Sequence, residues 1–156
     1  MILDRRGFIK LTGTTIFCMC GGAAGMGGCG GNPTSDTPGA PAGSYRVEND
    51  RVILSLSAID SLTPIGGAVK FTFQNQGGSQ LKVIVVHSGD QEFRAFADRC
   101  THNGKELNYL HNDGVLACCG RSSRFDLAGN VVNGPAEEAL VSYGAQIEDV
   151  ELVITI

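Results

Sequence analysis

From Tyr45 onward, apolar and polar residues either alternate with period two or gather into short apolar runs. "RVILSLSAI" (51–59) sets Val52, Leu54 and Leu56 against polar neighbours, and "AVKFTFQ" (68–74) does the same with Val69, Phe71 and Phe73. "LKVIVVH" (81–87) is a β-branched run, and "EFRAFAD" (92–98), "GVLACC" (114–119) and "ELVITI" (151–156) follow it. Successive side chains of a strand point to opposite faces, so each segment reads as a strand. Gly, Asn and Asp clusters at 66–67, 75–78, 88–90, 112–114 and 128–130 supply the turns between them. Many short strands at this spacing predict an all-β fold, an antiparallel sandwich or barrel. "PAEEAL" (135–140) supports one helical turn at most, and no internal repeat is visible.

The pattern is absent before Tyr45. Residues 1–30 open with Arg5-Arg6 ahead of Phe8, Ile9 and Lys10, then a mildly apolar Gly/Ala/Thr-rich stretch. This resembles a twin-arginine-type export signal, a route that carries proteins already folded. Glycine at this density disfavours a stable helix, at about 1 kcal/mol for each interior Gly. "MGGC" places Cys29 after small residues, similar to a lipoprotein cleavage site, so Cys29 is the candidate lipid anchor. Residues 31–44 are rich in Gly, Pro, Ser and Thr and read as a flexible linker. The folded domain is therefore expected over 45–156. The expected location is periplasmic, on the outer face of the cytoplasmic membrane.

Composition narrows the partners. With 156 residues, one domain is expected. The formal net charge is −4 with no basic stripe, which argues against nucleic acid. No continuous apolar run reaches the ~20 residues of a spanning helix. The six cysteines fall in two groups, three in the leader (18, 20, 29) and three in the domain (100, 118, 119). Three cysteines cannot all pair with one another, so a disulfide framework is a poor reading of the domain.

The chemistry-bearing residues lie in the second group. "CTHNGKEL" (100–107) puts a thiol and an imidazole at C-x-H spacing, and both suit iron or zinc. "CCGRSSRFD" (118–126) follows after the turn "NDG" and the strand "GVLA". A hairpin of that size brings the second loop back beside the first.

The stretch 99–136 resembles a Rieske iron–sulfur domain. Cys100, His102, Gly104 and Leu107 match that family's first loop, C-x-H-x-G-x-x-L. Aligning the second loop on Ser123, Phe125 and Asp126 puts Cys118 at the cysteine position and Arg121 at the histidine position. "GNVVNGPAEEAL" (129–140) resembles the proline loop that walls the cluster pocket. The resemblance implies a small cluster-binding subdomain and a [2Fe–2S] cluster. Cys100 and Cys118 would hold one iron and His102 the other. The fourth ligand is missing. A guanidinium stays protonated and has no lone pair for iron, so Arg121 is a weak ligand. Cys119 is the better candidate, and a Ser122 or Ser123 oxygen a lesser one. A three-Cys, one-His site should lie below the family's range of roughly −150 to +300 mV. Ser123 is expected to donate to a bridging sulfide. Phe125 stands where the family has a tyrosine, which removes a hydrogen-bond donor.

The expected function is one-electron transfer, as a subunit of an exported, membrane-associated redox complex of quinol–cytochrome reductase type. The partner would be a cytochrome b-type or other redox protein. The chain would be a carrier, not a catalyst alone. Two alternatives stand beside this. One is a cluster-free Rieske-fold module acting in protein interaction, with Cys100 and Cys118 as buried thiols or a disulfide. The other is a mononuclear zinc on Cys100, His102, Cys118 and Cys119.

Overall fold

The continuous apolar run at 83–86 has a simple structural origin. Val83 and Val85 enter one hydrophobic core, and Ile84 and Val86 enter a second, so this strand is covered on both faces. A computed structural model describes residues 37–119 and 123–156. The leader with Cys29, the first part of the linker and Arg121 lie outside the described residues.

The strands are β1 (Tyr45–Glu48), β2 (Arg51–Ser55), β3 (Ala68–Gln74), β4 (Gln80–Gly89), β5 (Glu92–Ala97) and β6 (Leu107–Leu110). They continue with β7 (Val115–Cys118), β8 (Arg124–Phe125), β9 (Val131–Asn133), β10 (Ser142–Glu148) and β11 (Glu151–Thr155). All strand pairings are antiparallel. A seven-stranded sheet runs β1-β2-β11-β10-β5-β4-β3, and a four-stranded sheet runs β6-β7-β8-β9. The small sheet is one insertion between β5 and β10.

The large sheet curls towards a barrel, and its two edges meet. The Tyr45 hydroxyl on β1 donates to the Thr72 carbonyl on β3 at 2.7 Å, and its ring lies 5.1 Å from that of Phe71. The first core fills this curl with Val52, Leu54, Val69, Phe71, Val83, Val85, Leu152 and Ile154. The second core joins the two sheets: Ile84, Val86 and Phe96 pack with Leu107, Leu116, Cys100, Cys118 and Phe125. Phe125 is fully buried there, so it packs the core. Each such side chain contributes about 1.5–3 kcal/mol through burial.

The structure departs from the sequence expectation in two places. The strand read over 51–59 stops at Ser55, and two 3₁₀ turns, Leu56–Ala58 and Asp60–Leu62, follow. The described end of the linker, residues 37–44, lies against the domain. Lys70 donates its N–H to the Pro38 carbonyl at 2.8 Å, and Ala40 donates to the Lys70 carbonyl at 2.7 Å. Thr37 accepts the Tyr109 N–H at 2.8 Å, and Ser44 is buried. Backbone pairing on the free edge of β3 holds the segment without large apolar side chains.

Gly67 is required by close backbone approach. A Cβ there would fall on the Ser61 carbonyl oxygen and within 2.9 Å of that of Pro64. Both obstacles are main chain and cannot swing aside. Gly67→Ala is expected to cost about 1–3 kcal/mol, the usual cost of overpacking. Urea denaturation would measure it, and an unchanged midpoint would refute the close approach.

Candidate metal centre

Two loops face each other at one end of the small sheet. The first spans residues 98–107. Gly104 has φ +71° and donates to the Cys100 carbonyl at 2.8 Å, while Cys100 donates to the Lys105 carbonyl at 2.7 Å. Only a residue tolerant of the left-handed region closes so tight a loop without strain. The loop's two ends are joined by Asp98, whose carboxylate accepts the Leu107 N–H at 2.6 Å.

The second loop starts at Cys118. Leu107 and Cys118 are cross-strand partners on β6 and β7. Cys118 donates its N–H to the Ser123 carbonyl at 2.9 Å, and Cys119 donates to the Glu106 carbonyl at 3.0 Å. The first loop is thereby fixed against the second, and Thr101 ties it to the third. Its hydroxyl donates to the Glu138 carbonyl at 2.7 Å.

Cys100 and Cys118 are both free thiols with 1% exposure. The Cys118 thiol donates to the Asn103 side-chain oxygen at 3.3 Å. Burial pushes its pKa up, and the neighbouring Cys100 thiol raises it further; Asn103 and the Lys105 ammonium act the other way. The structure thus brings together the two sulfurs expected to bind one metal. Two converging soft donors in a largely dry pocket fit the cysteine side of an iron or zinc site.

The other predicted residues are placed differently. His102 stands exposed on the rim. Cys119 is half-buried, and its sulfur is disulfide-bonded, so reduction must precede any role as a ligand. Ser123 is fully buried, and its oxygen accepts the Ala136 N–H at 3.2 Å, tying the proline loop to the second loop. Its hydroxyl proton remains available to donate. Among the described residues, no three His, Cys, Asp or Glu side chains gather as a metal-binding group. His87 accompanies Phe93, with ring centroids 4.3 Å apart, and His111 lies against Gly66, so neither joins the two thiols.

Sequence reasoning missed the charges beneath the loops. Asp98 is buried, with Lys70 Nζ at 3.4 Å; the same ammonium is 3.7 Å from Glu106, which pairs with Lys82 at 2.5 Å. Burial raises the Asp98 pKa, and its bond from Leu107 and the Lys70 charge only partly oppose this. The Lys82 bond holds the Glu106 carboxyl below its usual value. A carboxylate closing an apolar strand, as in "EFRAFAD", was the available signal.

Comparison with known proteins agrees with this geometry. Residues 66–144 match the family model described as Rieske [2Fe-2S] domain. The cytochrome b6-f complex iron-sulfur subunit of Chlorobaculum thiosulfatiphilum is 32% identical over 74 residues, covering 47% of this chain and 40% of that one. The match therefore spans about two fifths of that relative's length. Among solved structures, the cyanobacterial plasma membrane Rieske protein PetC3 from Synechocystis PCC 6803 is 26% identical, with a TM-score of 0.48 over 56% of this chain and 86% of that one. The ferredoxin of carbazole 1,9a-dioxygenase from Nocardioides aromaticivorans is 21% identical, with a TM-score of 0.48 over 62% and 89%.

Proposed function

The chain belongs to the Rieske [2Fe–2S] domain family, and we propose that it transfers single electrons as a carrier subunit of an exported, membrane-associated redox complex. The observation that carries this reading is the pair of buried thiols, Cys100 and Cys118, where the two loops meet. The residues present fit the cysteine side of the cluster, which supplies a one-electron couple when bound. Cys100 and Cys118 would hold one iron, and His102 the other. Cys119, once reduced, is the best fourth ligand; Arg121 aligns with the family's histidine position, and its charge would offset that of a third thiolate.

The chain's own residues do the rest. Leu107, Leu116 and Phe125 keep water from the sulfurs. Asn103 accepts from Cys118. The exposed His102 marks the side from which a partner would exchange electrons. Likeness to the iron-sulfur subunit of a cytochrome b6-f complex supports a cytochrome-containing partner. The Arg5-Arg6 leader and Cys29 support export and a membrane tether.

Iron and acid-labile sulfide per chain, with EPR of the dithionite-reduced protein, test the proposal. Two irons, two sulfides and an EPR signal are expected from anaerobically purified protein. Neither iron nor sulfide in a folded chain would favour the second reading, a cluster-free interaction module, which the adjacent thiols and Arg121 would then explain. Arg121→His is expected to raise iron retention and yield a Rieske-type spectrum. No change in either would mean that the pocket is not simply one imidazole short.

A further inference from the structure

Ion pairing is unevenly distributed over this protein. Among the described residues, Arg46 pairs with Glu48 and Glu151, Arg51 with Glu148, Lys70 with Asp98 and Glu106, Lys82 with Glu106, Arg94 with Glu92, and Arg124 with Asp113. Arg99 and Lys105 are the described lysine and arginine residues left without an ion pair, and both are exposed. Both belong to the first loop of the candidate centre. The Arg99 guanidinium lies against Gly104, its Nε 3.4 Å from where a Cβ would sit. Lys105 follows Gly104 directly and is exposed. The two cations therefore share one loop with the exposed His102.

Among the described residues, unpaired carboxylates are common and unpaired cations are scarce. Their concentration on one loop is informative for that reason. The rim is also polarised. Glu137 and Glu138 on the proline loop are exposed without ion pairs, and the Glu138 carbonyl accepts from Thr101. Among the described residues, the first loop carries the unpaired cations and the proline loop these carboxylates.

We propose that this first-loop sector docks an acidic patch on a redox partner protein, with Arg99 and Lys105 as the contact charges. The proposal rests on the electron-transfer reading for the nature of the partner. Exposed charges at a rim steer encounter and fix orientation through complementary potentials. Their attraction acts within a Debye length of about 10 Å at moderate salt. The proline-loop carboxylates turn the partner so that its own acidic patch meets the first loop. An uncharged or basic partner face would leave both cations unmatched.

The test uses the full chain and a fluorescent hexaglutamate peptide as the acidic probe, with affinity read by anisotropy across a salt series. The wild-type chain should bind, and added salt should weaken binding. The Arg99→Gln/Lys105→Gln double variant should bind about tenfold more weakly, as expected for two rim charges. The Arg46→Gln/Arg51→Gln pair makes the same change in net charge on β1 and β2 and should alter affinity less than about twofold. Glu137→Gln/Glu138→Gln should tighten binding. Equal weakening by both arginine-containing pairs, or no wild-type binding, would overturn the proposal. Iron content of the same preparations separates the two readings. An iron-free chain whose peptide binding still depends on Arg99 and Lys105 would sink electron transfer and leave the acidic partner standing. An iron-loaded chain without that dependence would do the reverse.

Discussion

Asp98→Ala is expected to destabilise the domain by about 2–4 kcal/mol, and Asp98→Asn by less than about 1 kcal/mol. The carboxylate has two roles that can be separated. It accepts the Leu107 N–H at 2.6 Å, closing the first loop, and it faces Lys70 at 3.4 Å. Alanine leaves the Leu107 N–H unsatisfied in the core, at about 1–3 kcal/mol, and opens a void beside it. It also leaves Lys70 without its nearest partner, but that side chain is 15% exposed and its ammonium retains Glu106 at 3.7 Å. The charge itself is poorly compensated, because burial dominates and raises the Asp98 pKa. Buried pairs of this kind are often near break-even against a neutral replacement. Asparagine keeps an acceptor for Leu107 and removes the charge, so the hydrogen bond should prove the larger contribution. Urea denaturation of the two variants beside wild type decides the matter. If asparagine were as harmful as alanine, the attraction to Lys70 would hold the loop.

The consequence for function is positional. Leu107 is the cross-strand partner of Cys118, and Asp98 is two residues from Cys100. One carboxylate thus closes the first loop at the residue that pairs with Cys118. A variant that stays folded but loosens this link should retain less iron.

The strands legible in the sequence were those with a large contrast between faces. "AVKFTFQ" is β3 residue for residue, because Val69, Phe71 and Phe73 enter one core while Thr72 and Gln74 do not. "LKVIVVH" was clear for the opposite reason, being apolar on both faces. β10 was not anticipated: in "SYGAQIE" none of the seven residues is fully buried, and Gly144 and Ala145 give little contrast. Its period is present but shallow: Tyr143, Ala145 and Ile147 alternate with exposed residues and pack only at the margin of the first core, beside the pairing with β11 and β5. β8 has two residues, too few to carry a period. The end of the linker was misleading because an edge pairing needs only backbone groups. At the site, Cys100 and Cys118 were readable from loop spacing, since a short hairpin between them leaves few geometries. Asp98 was not, because its partners Leu107 and Lys70 are set by strand order in two different sheets.

Cys118→Ser is expected to lower iron per chain to less than about a tenth of the wild-type value, while the domain stays folded. Cys118 is 1% exposed, and its place is fixed through backbone bonds and the pairing of β7 with β6, which a serine preserves. What serine cannot supply is a soft thiolate, the form in which cysteine binds metal. Burial and Cys100 raise the Cys118 pKa, so metal binding there competes with a proton. Cys100→Ser should have the same effect, because either change leaves a single sulfur on that iron. Cys119→Ser addresses the remaining ligand position. If Cys119 takes that place, the variant should lose most of its iron or shift its EPR g-values. If an oxygen or Arg121 does, iron content should stay near wild type. Elemental analysis and visible absorption of the three variants, purified anaerobically side by side, measure all of this. Full iron in Cys118→Ser would remove the two-loop site from consideration, whatever Cys119→Ser showed.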